Sequence, residues 1–403
     1  MTRPLVVIET HPIQYHAPVY RELQERFGVP VAVIYQSDFS VVGYEDREFG
    51  TSFAWDTDLL SGYKSVFLSR ITEIGNEATV SSMRKAIATL EPGAVLLVGY
   101  SPGFHRLAFF EAWRSRAPLL FRGETTDHTQ RRSVSHAFAR SIALRVLYRT
   151  CARLLYVGQH SYQHFTRLGV PTAKLRFSPY CVDTSVFKTT EEDREDLRED
   201  AREHLHISAG DIVLLFSGKL SERKGPDLLL AAVKSLSPKS RKRIVVLFLG
   251  SGAMQPSLES FAKQCPELKT RFVGFQNQRQ LSPYYHAADL LVLPSRHSET
   301  WGLVVNEALH HGLPCVVSDA VGCAPDLVAP GLTGEMFETG SAAGLSAALV
   351  RALGLVNRAD IRNSCRNRVG GYTVAKAAEG IANAYWDVVN TPKNVVSQCQ
   401  LQD

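Results

Sequence analysis

A chain of 403 residues, 45% hydrophobic and 21% charged, is too long for one ordinary core and suits two domains of roughly 150–200 residues each. The formal charge of +5 is too mild to point to nucleic acid, and no apolar run approaches the roughly 20 residues of a membrane-spanning helix. The N-terminal MTRPLVVIETH lacks a signal-peptide core, so the expected location is cytoplasmic. Seven scattered cysteines without a CxxC argue against a disulfide framework and a zinc site.

The elements alternate short apolar runs with helical patterns, the signature of an α/β sheet protein. Leu5–Ile8 reads as a buried strand, followed by the loop THPIQYHAP and a helix over Val19–Phe27. Val31–Tyr35, Ala94–Val98 and Leu119–Arg122 are further strands, with a helix over 105–115 between the last two. Between Gly103 and Arg153, ten arginines face three acids, Glu111, Glu124 and Asp127, which suggests a negatively charged partner near this half. Leu154–Val157 closes the half, and a helix follows over His160–Leu168. The acid- and base-rich run TTEEDREDLREDAREHL reads as a solvated helix entering a second domain, with the boundary near 188.

The second half restarts the pattern with Ile212–Ser217, the loop GKLSERKG and a helix opened by Pro226. Ile244–Leu249, Arg271–Phe275, 290–295 and 315–319 are its other strands. Two such sheets facing each other make a cleft, and ligands in these folds sit at the carboxyl ends of the strands. The expected division is therefore an N-terminal domain over 1–188 and a C-terminal domain over 189–374. A helix over 375–391 is expected to return to the first domain, with a tail over 392–403.

Two segments carry the chemistry. Gly218 to Gly225 lies between a strand end and a helix start, where free N–H groups favour an anion, and Lys219 and Lys224 add charge suited to a diphosphate. By itself that loop is equally a solvated charged turn, and it is not a GxxxxGK[ST] phosphate loop. The second segment, SETWGLVVNE, opens a helix, with Glu299 in the turn before it and Glu307 within it. Eight residues at ~1.5 Å rise separate the two acids by roughly 12 Å, about the span from sugar ring to ribose in a nucleotide sugar. A carboxylate at each end can accept hydrogen bonds from two vicinal hydroxyls, while the amides around Gly302 and Leu303 meet the diphosphate.

The Glu299…Glu307 spacing matches the E-x7-E pattern of retaining glycosyltransferases. Together with SGKLSERKGPDLLL, the block FVGFQNQRQLSPYYHAADLLVLPSRHSETWGLVVNEALHHGLPCVVSD and PYCVDTSVF, it makes the chain resemble glycosyltransferase family 4. The resemblance implies two facing Rossmann-like domains, the GT-B fold, with an interdomain cleft. It implies transfer of a sugar from a UDP- or GDP-sugar to an acceptor hydroxyl with retention, and no metal or other cofactor. Glu299, Lys219 and Lys224 would be catalytic. Gly218, Val273, Phe275, Trp301, Gly302, Leu303 and Glu307 would bind the donor, with Val273 and Phe275 beside the base. The acceptor would be a glycan, a lipid-linked sugar or a small molecule. A nucleotide-sugar epimerase or hydrolase, or a non-catalytic sugar-nucleotide-binding module, shares the architecture.

The N-terminal half departs from the family. His11-Pro12-Ile13-Gln14-Tyr15-His16 stands where paired glycines are common, and Arg122 or Glu124 where a cleft histidine is common. His16, Glu124 and His105 are the acceptor-side candidates. Asp56-Thr57-Asp58 matches a metal-binding DxD only formally, and His310-His311 reads as a helix-end pair stabilising the dipole. The basic 131–153 segment invites a peripheral contact at the inner membrane face. Val134, Phe138, Ile142 and Val146 share one arc of its helix, but Arg145 and Arg149 fall in that same arc. The expectation is therefore an ordinary helix whose arginine stems cover apolar surface.

Overall fold

The computed structural model describes residues 2–42, 44–46, 51–53, 57–70, 79–100, 103–123 and 134–390. Strands of the N-terminal half are β1 (Leu5–Glu9), β2 (Val31–Tyr35), β3 (Tyr44–Asp46), β4 (Thr51–Phe53), β5 (Lys64–Phe67), β6 (Ala94–Leu97), β7 (Leu119–Arg122), β8 (Arg153–Tyr156) and β9 (Leu175–Phe177). Seven of them form a parallel sheet in the order β5-β2-β1-β6-β7-β8-β9, and β3 and β4 pair apart from it. β1 sits centrally because LVVIE is buried throughout, and it registers Leu5 against both Val31 and Ala94.

Alternation along β1 builds two cores. Leu5 and Val7 face one side, with Leu23 of the helix Ala17–Glu25 and with Ala377, Ile381 and Tyr385 of the helix Val374–Val389. Val6 and Ile8 face the other, with Met83 and Ala108 from the helices Val80–Leu90 and Gly103–Arg114. The final helix of the chain is thus part of the N-terminal domain's core, and Asp387 fastens it to Arg153 at 3.0 Å.

The C-terminal half has β10 (Ile212–Ser217), β11 (Ile244–Leu249), β12 (Lys269–Gly274), β13 (Leu290–Leu293), β14 (Cys315–Ser318) and β15 (Gly334–Phe337) in the order β12-β11-β10-β13-β14-β15, all parallel. Sheets covered on both faces by helices read as continuous apolar runs, and the inner strands β10, β11, β13 and β14 do, whereas the edge strand β12, KTRFVG, is only partly buried. The short strands β5, β9 and β15 escaped the sequence reading, since KSVF, LRF and GEMF are too brief to separate from loops.

The helix Glu191–His204 carries the charged run, but it is not merely solvated. Arg198 and Arg202 reach under it to Asp289, with Arg202 at 2.7 Å, and Asp289 also accepts from the Val213 amide at 2.8 Å. All six described cysteines are buried and free.

The halves meet along a seam built from Gly158. A Cβ there would lie 2.4 Å from the Trp301 ring, so only glycine admits the indole. The Gln159 amide, at the start of the helix Gln159–Arg167, donates to both oxygens of Asp326 at 3.0 and 3.1 Å. A carboxylate from one domain therefore caps a helix of the other. Asn306 Nδ2 donates to the Tyr180 carbonyl at 3.4 Å, and Tyr180 packs on Trp301 with ring centroids 5.6 Å apart.

Candidate active site

The loop after β10 and the turn after β13 converge at the carboxyl ends of the C-terminal strands. The turn before the helix Leu303–His310 runs through Ser298 at φ 56° and Gly302 at φ 98°, and it presents Glu299 inward. Lys224 hydrogen-bonds Glu299 Oε2, Ser295 Oγ donates to the same oxygen at 2.9 Å, and Arg223 stands 3.7 Å away. Arg296 braces the loop from outside, holding Asp227 through two bonds of 2.8 and 2.7 Å.

Glu307, 4% exposed, lies one helical turn into the next helix. Burial pushes its carboxyl up to about 7, against the lowering influences of the Tyr285 hydrogen bond and the Lys224 charge. Tyr285 donates to Glu307 Oε2 at 2.6 Å and lies 3.2 Å from Ser217 Oγ. Lys224 is therefore bonded to Glu299, and its charge also reaches Glu307. The 12 Å helical spacing expected from the sequence needs correction. Only Leu303 to Glu307 is helical, a rise of about 6 Å, and the rest of the interval crosses the left-handed turn.

The remaining donor-side residues fall around this cluster. Gly218 and Lys219 follow β10 directly, Val273 is the penultimate residue of the edge strand β12, and Phe275 follows that strand, all partly buried. The Gly274 carbonyl accepts from Gly250 at 2.8 Å, which ties that edge to the loop after β11. Leu303 opens the helix behind Gly302. Trp301 stands apart from the expected donor contact: its ring is committed to the domain seam and its Nε1 donates to Asn306 at 2.8 Å.

Across the cleft, β1 ends in Glu9, a fully buried acid that the sequence reading passed over. The signal was present as a charged residue closing an apolar strand at the end where ligands sit. Burial alone would raise its carboxyl, but the charge and hydrogen bond of His16 and the Tyr20 hydroxyl hold it below the usual carboxylate range. His16 Nδ1 lies 2.7 Å from Glu9 Oε1, which leaves Nε2 facing Arg122 Nη1 at 3.5 Å. Arg122 in turn donates to the Pro179 carbonyl at 2.9 Å and stacks over Tyr180, so it anchors the crossover between domains. His105 is buried nearby, within the electrostatic reach of Glu9 and with Nδ1 unpartnered. Glu9 Oε2 and Gln14 Oε1 are likewise buried without partners, so this end of β1 has unused hydrogen-bonding capacity. Glu124 lies outside the described residues.

Tyr15, from the loop that replaces the glycines, packs against the C-terminal core, and the Glu307 charge helps burial to raise its hydroxyl. Both domains thus contribute to the surroundings of Glu307. One minor expectation changes. His311 is buried, with Nδ1 2.7 Å from the Glu307 carbonyl and Nε2 2.9 Å from Ser282 Oγ, and burial pushes it down to about 3. His310 falls to about 4 by burial, so the pair is neutral and adds no charge to the helix end. Asp58 caps its own turn through the Leu60 and Ser61 amides at 3.0 and 3.1 Å, and Asp56 lies outside the described residues. Among the described residues no group of three or more His, Cys, Asp or Glu side chains could hold a metal ion.

Two parallel-sheet domains with this cleft define the GT-B architecture. A structure of a glycosyltransferase from Rickettsia africae superposes with TM-score 0.71, covering 97% of this chain and all of that one at 12% identity. HepE from Anabaena, solved with UDP and glucose, superposes with TM-score 0.64 over 95% of this chain and 99% of its own at 17% identity. Residues 197–367 match the family model described as glycosyl transferases group 1, so the resemblance read from the Glu299 block holds over the C-terminal domain. D-inositol 3-phosphate glycosyltransferases from Corynebacterium aurimucosum and Saccharomonospora viridis are 33% and 34% identical over 202 residues, 48% of this chain. The matches span about half the length of these curated relatives, 47% and 46%.

Proposed function

We propose that the chain is a retaining glycosyltransferase that moves a hexosyl unit from a UDP- or GDP-sugar to an acceptor hydroxyl. The carrying observation is Lys224 bonded to Glu299 within electrostatic reach of Glu307, at the carboxyl ends of the C-terminal strands. A cation in that place suits the diphosphate, while the two acids suit the sugar and ribose hydroxyls. Lys219 and the amides after Gly302 would complete the diphosphate site. When the donor binds, Lys224 would exchange Glu299 for phosphate oxygens, freeing the carboxylate to accept from the sugar. Catalysis then rests on positioning the acceptor on the face the nucleotide leaves and on neutralising the departing diphosphate, a route that asks for no metal.

The acceptor would enter over the Glu9, His16 and His105 cluster, whose surroundings hold unpartnered oxygens and a nitrogen suited to a polyol. The names of the curated relatives make an inositol phosphate one candidate among glycans and lipid-linked sugars. An association with anionic membrane gains support from the helix Val134–Thr150. Phe138, Ile142 and Val146 are 66, 46 and 59% exposed, so the arc expected to be covered by arginine stems is an outward apolar stripe beside Arg145 and Arg149.

The deciding experiment mixes the protein with UDP-, GDP- and ADP-sugars, with and without acceptors, and follows nucleotide release. Release that requires acceptor, with product of the donor's anomeric configuration by NMR, supports transfer. Turnover without acceptor would favour the hydrolase or epimerase reading. Activity surviving exhaustive chelation is the expected result for metal independence.

A further inference from the structure

The C-terminal domain has a recess at the end of its sheet opposite the Lys224 cluster. Its walls include Ala288 and Asp289, just before β13, and Leu313 and Pro314, just before β14. These are the amino-terminal ends of the strands, whereas Lys224 and Glu299 gather at the carboxyl ends. The recess is partly open to solvent, and Arg194, Arg358, Arg362 and His286 also line it.

The charges around it are unevenly matched. Asp289 is occupied by Arg198 and Arg202, Glu191 by Arg362 and Arg366, and Asp360 by Arg358. None of these carboxylates pairs with Arg194. Burial first, and then the charges of Arg198 and Arg362, bring Arg194 down to about 10, as expected for a cation among cations. Arg366, one turn beyond Arg362, keeps Nε and Nη2 buried without partners. Three arginines, Arg194, Arg358 and Arg362, thus line a recess whose neighbouring acids are already engaged, which favours an anion.

His286 narrows the kind of anion. It is 1% exposed, its Nε2 lies 2.7 Å from the Lys188 carbonyl, and its Nδ1 has no partner. A carbonyl only accepts, so Nε2 carries the proton. Burial pushes the imidazole down to about 4, so at neutral pH Nδ1 offers a lone pair. The site therefore combines guanidinium donors with one buried acceptor. A fully ionised oxyanion cannot satisfy that acceptor, but one that keeps a proton can.

We propose that this recess binds a protonated phosphate, free or as a monoester, with Arg194 and Arg362 donating to its oxygens and His286 Nδ1 accepting its P–OH. The phosphate second ionisation lies near neutrality, so the protonated form is available there, whereas sulfate carries no proton.

The test is calorimetric titration of the full chain with inorganic phosphate, sulfate and glycerol 3-phosphate near pH 6.5 at fixed ionic strength. Phosphate should bind at least about tenfold tighter than sulfate, the order expected for one buried charged hydrogen bond. Arg194→Gln should weaken phosphate by a similar factor without lowering the melting temperature, since no ion pair is lost. Arg358→Gln, at a fully exposed position, should weaken it severalfold. Lys224→Ala should leave phosphate binding intact. Equal binding of sulfate and phosphate, binding unchanged in both arginine variants, or loss in Lys224→Ala would each overturn the proposal. If glycerol 3-phosphate outcompetes inorganic phosphate the ligand is a monoester, and otherwise it is the free ion.

Discussion

Lys224 and Glu299 satisfy each other while no donor is bound, so each protects the other from being buried alone. A buried charge left without its partner is costly, so Glu299→Ala combines loss of a sugar contact with an orphaned lysine. Glu299→Gln separates the two effects, because the amide still offers an oxygen to Ser295. It should lower the melting temperature less than Glu299→Ala does, since Lys224 keeps an acceptor though not its counter-charge, while turnover falls by roughly a hundredfold or more. Lys224→Ala should fall as far, and full turnover in either would remove the mechanism.

Glu307 makes a different prediction. Its folded carboxyl titrates near 7, above the ordinary 4.5, so its protonated form is stabilising. That contribution is complete below the unfolded value and is lost as pH rises through about 7. Glu307→Gln should therefore match the wild type at pH 5 and exceed it at pH 8, by at most about 3 kcal/mol at ~1.4 kcal/mol per unit. Ribose hydroxyls donating to the carboxylate favour its ionised form. Nucleotide binding at pH 7 should accordingly release a fraction of a proton, and UDP binding enthalpies in PIPES and Tris should differ. Identical enthalpies would place the ribose elsewhere.

Among elements, the turn that delivers Glu299 depends on Gly302. Its φ of 98° belongs to the left-handed region, and a Cβ would lie 3.0 Å from both Leu293 Cδ2 and Val321 Cγ1. Gly302→Ala should cost roughly 1–3 kcal/mol and lower the melting temperature by about 2–4 °C for each kcal/mol. The helix Val134–Thr150 is held from its inner face, where Leu144 and Tyr148 are buried and Arg140 donates to the Tyr100 hydroxyl at 2.8 Å. Replacing Phe138, Ile142 and Val146 with serine should spare stability and reduce sedimentation with anionic vesicles. Unchanged vesicle binding would assign the stripe another partner.

The whole molecule should respond to acid chiefly through its C-terminal domain. His286, His310 and His311 are neutral there, at about 4, 4 and 3 against an ordinary 6.5. A base depressed in the fold gives stability that is present above 6.5 and fades as pH falls toward the folded value. Urea melts followed by Trp301 fluorescence should lose stability steadily between pH 6.5 and 4. The loss should shrink in His310→Gln, which lacks one of the three. The order of the sheets adds a further dependence. The helix Val374–Val389 follows the C-terminal domain in sequence but completes the N-terminal core, so the N-terminal half does not close its core as a contiguous segment.

The strand order of the chemistry was legible in the residues themselves. Apolar runs ending in Ser217, Leu249 and Pro294 placed the donor loops, and the acids at Glu299 and Glu307 announced a polyhydroxylated ligand, because strand periodicity and residue chemistry are local properties. What the sequence could not contain was who meets whom across the chain. Glu9 looked like the end of a strand until His16, Tyr20 and Arg122 gathered around it. Trp301 looked like part of the donor block until Gly158, 143 positions earlier, claimed its ring. The histidines at the end of the Glu307 helix looked like dipole partners until burial removed their charge. Burial and long-range pairing set protonation and orientation, and both are decided only when distant segments close on one another.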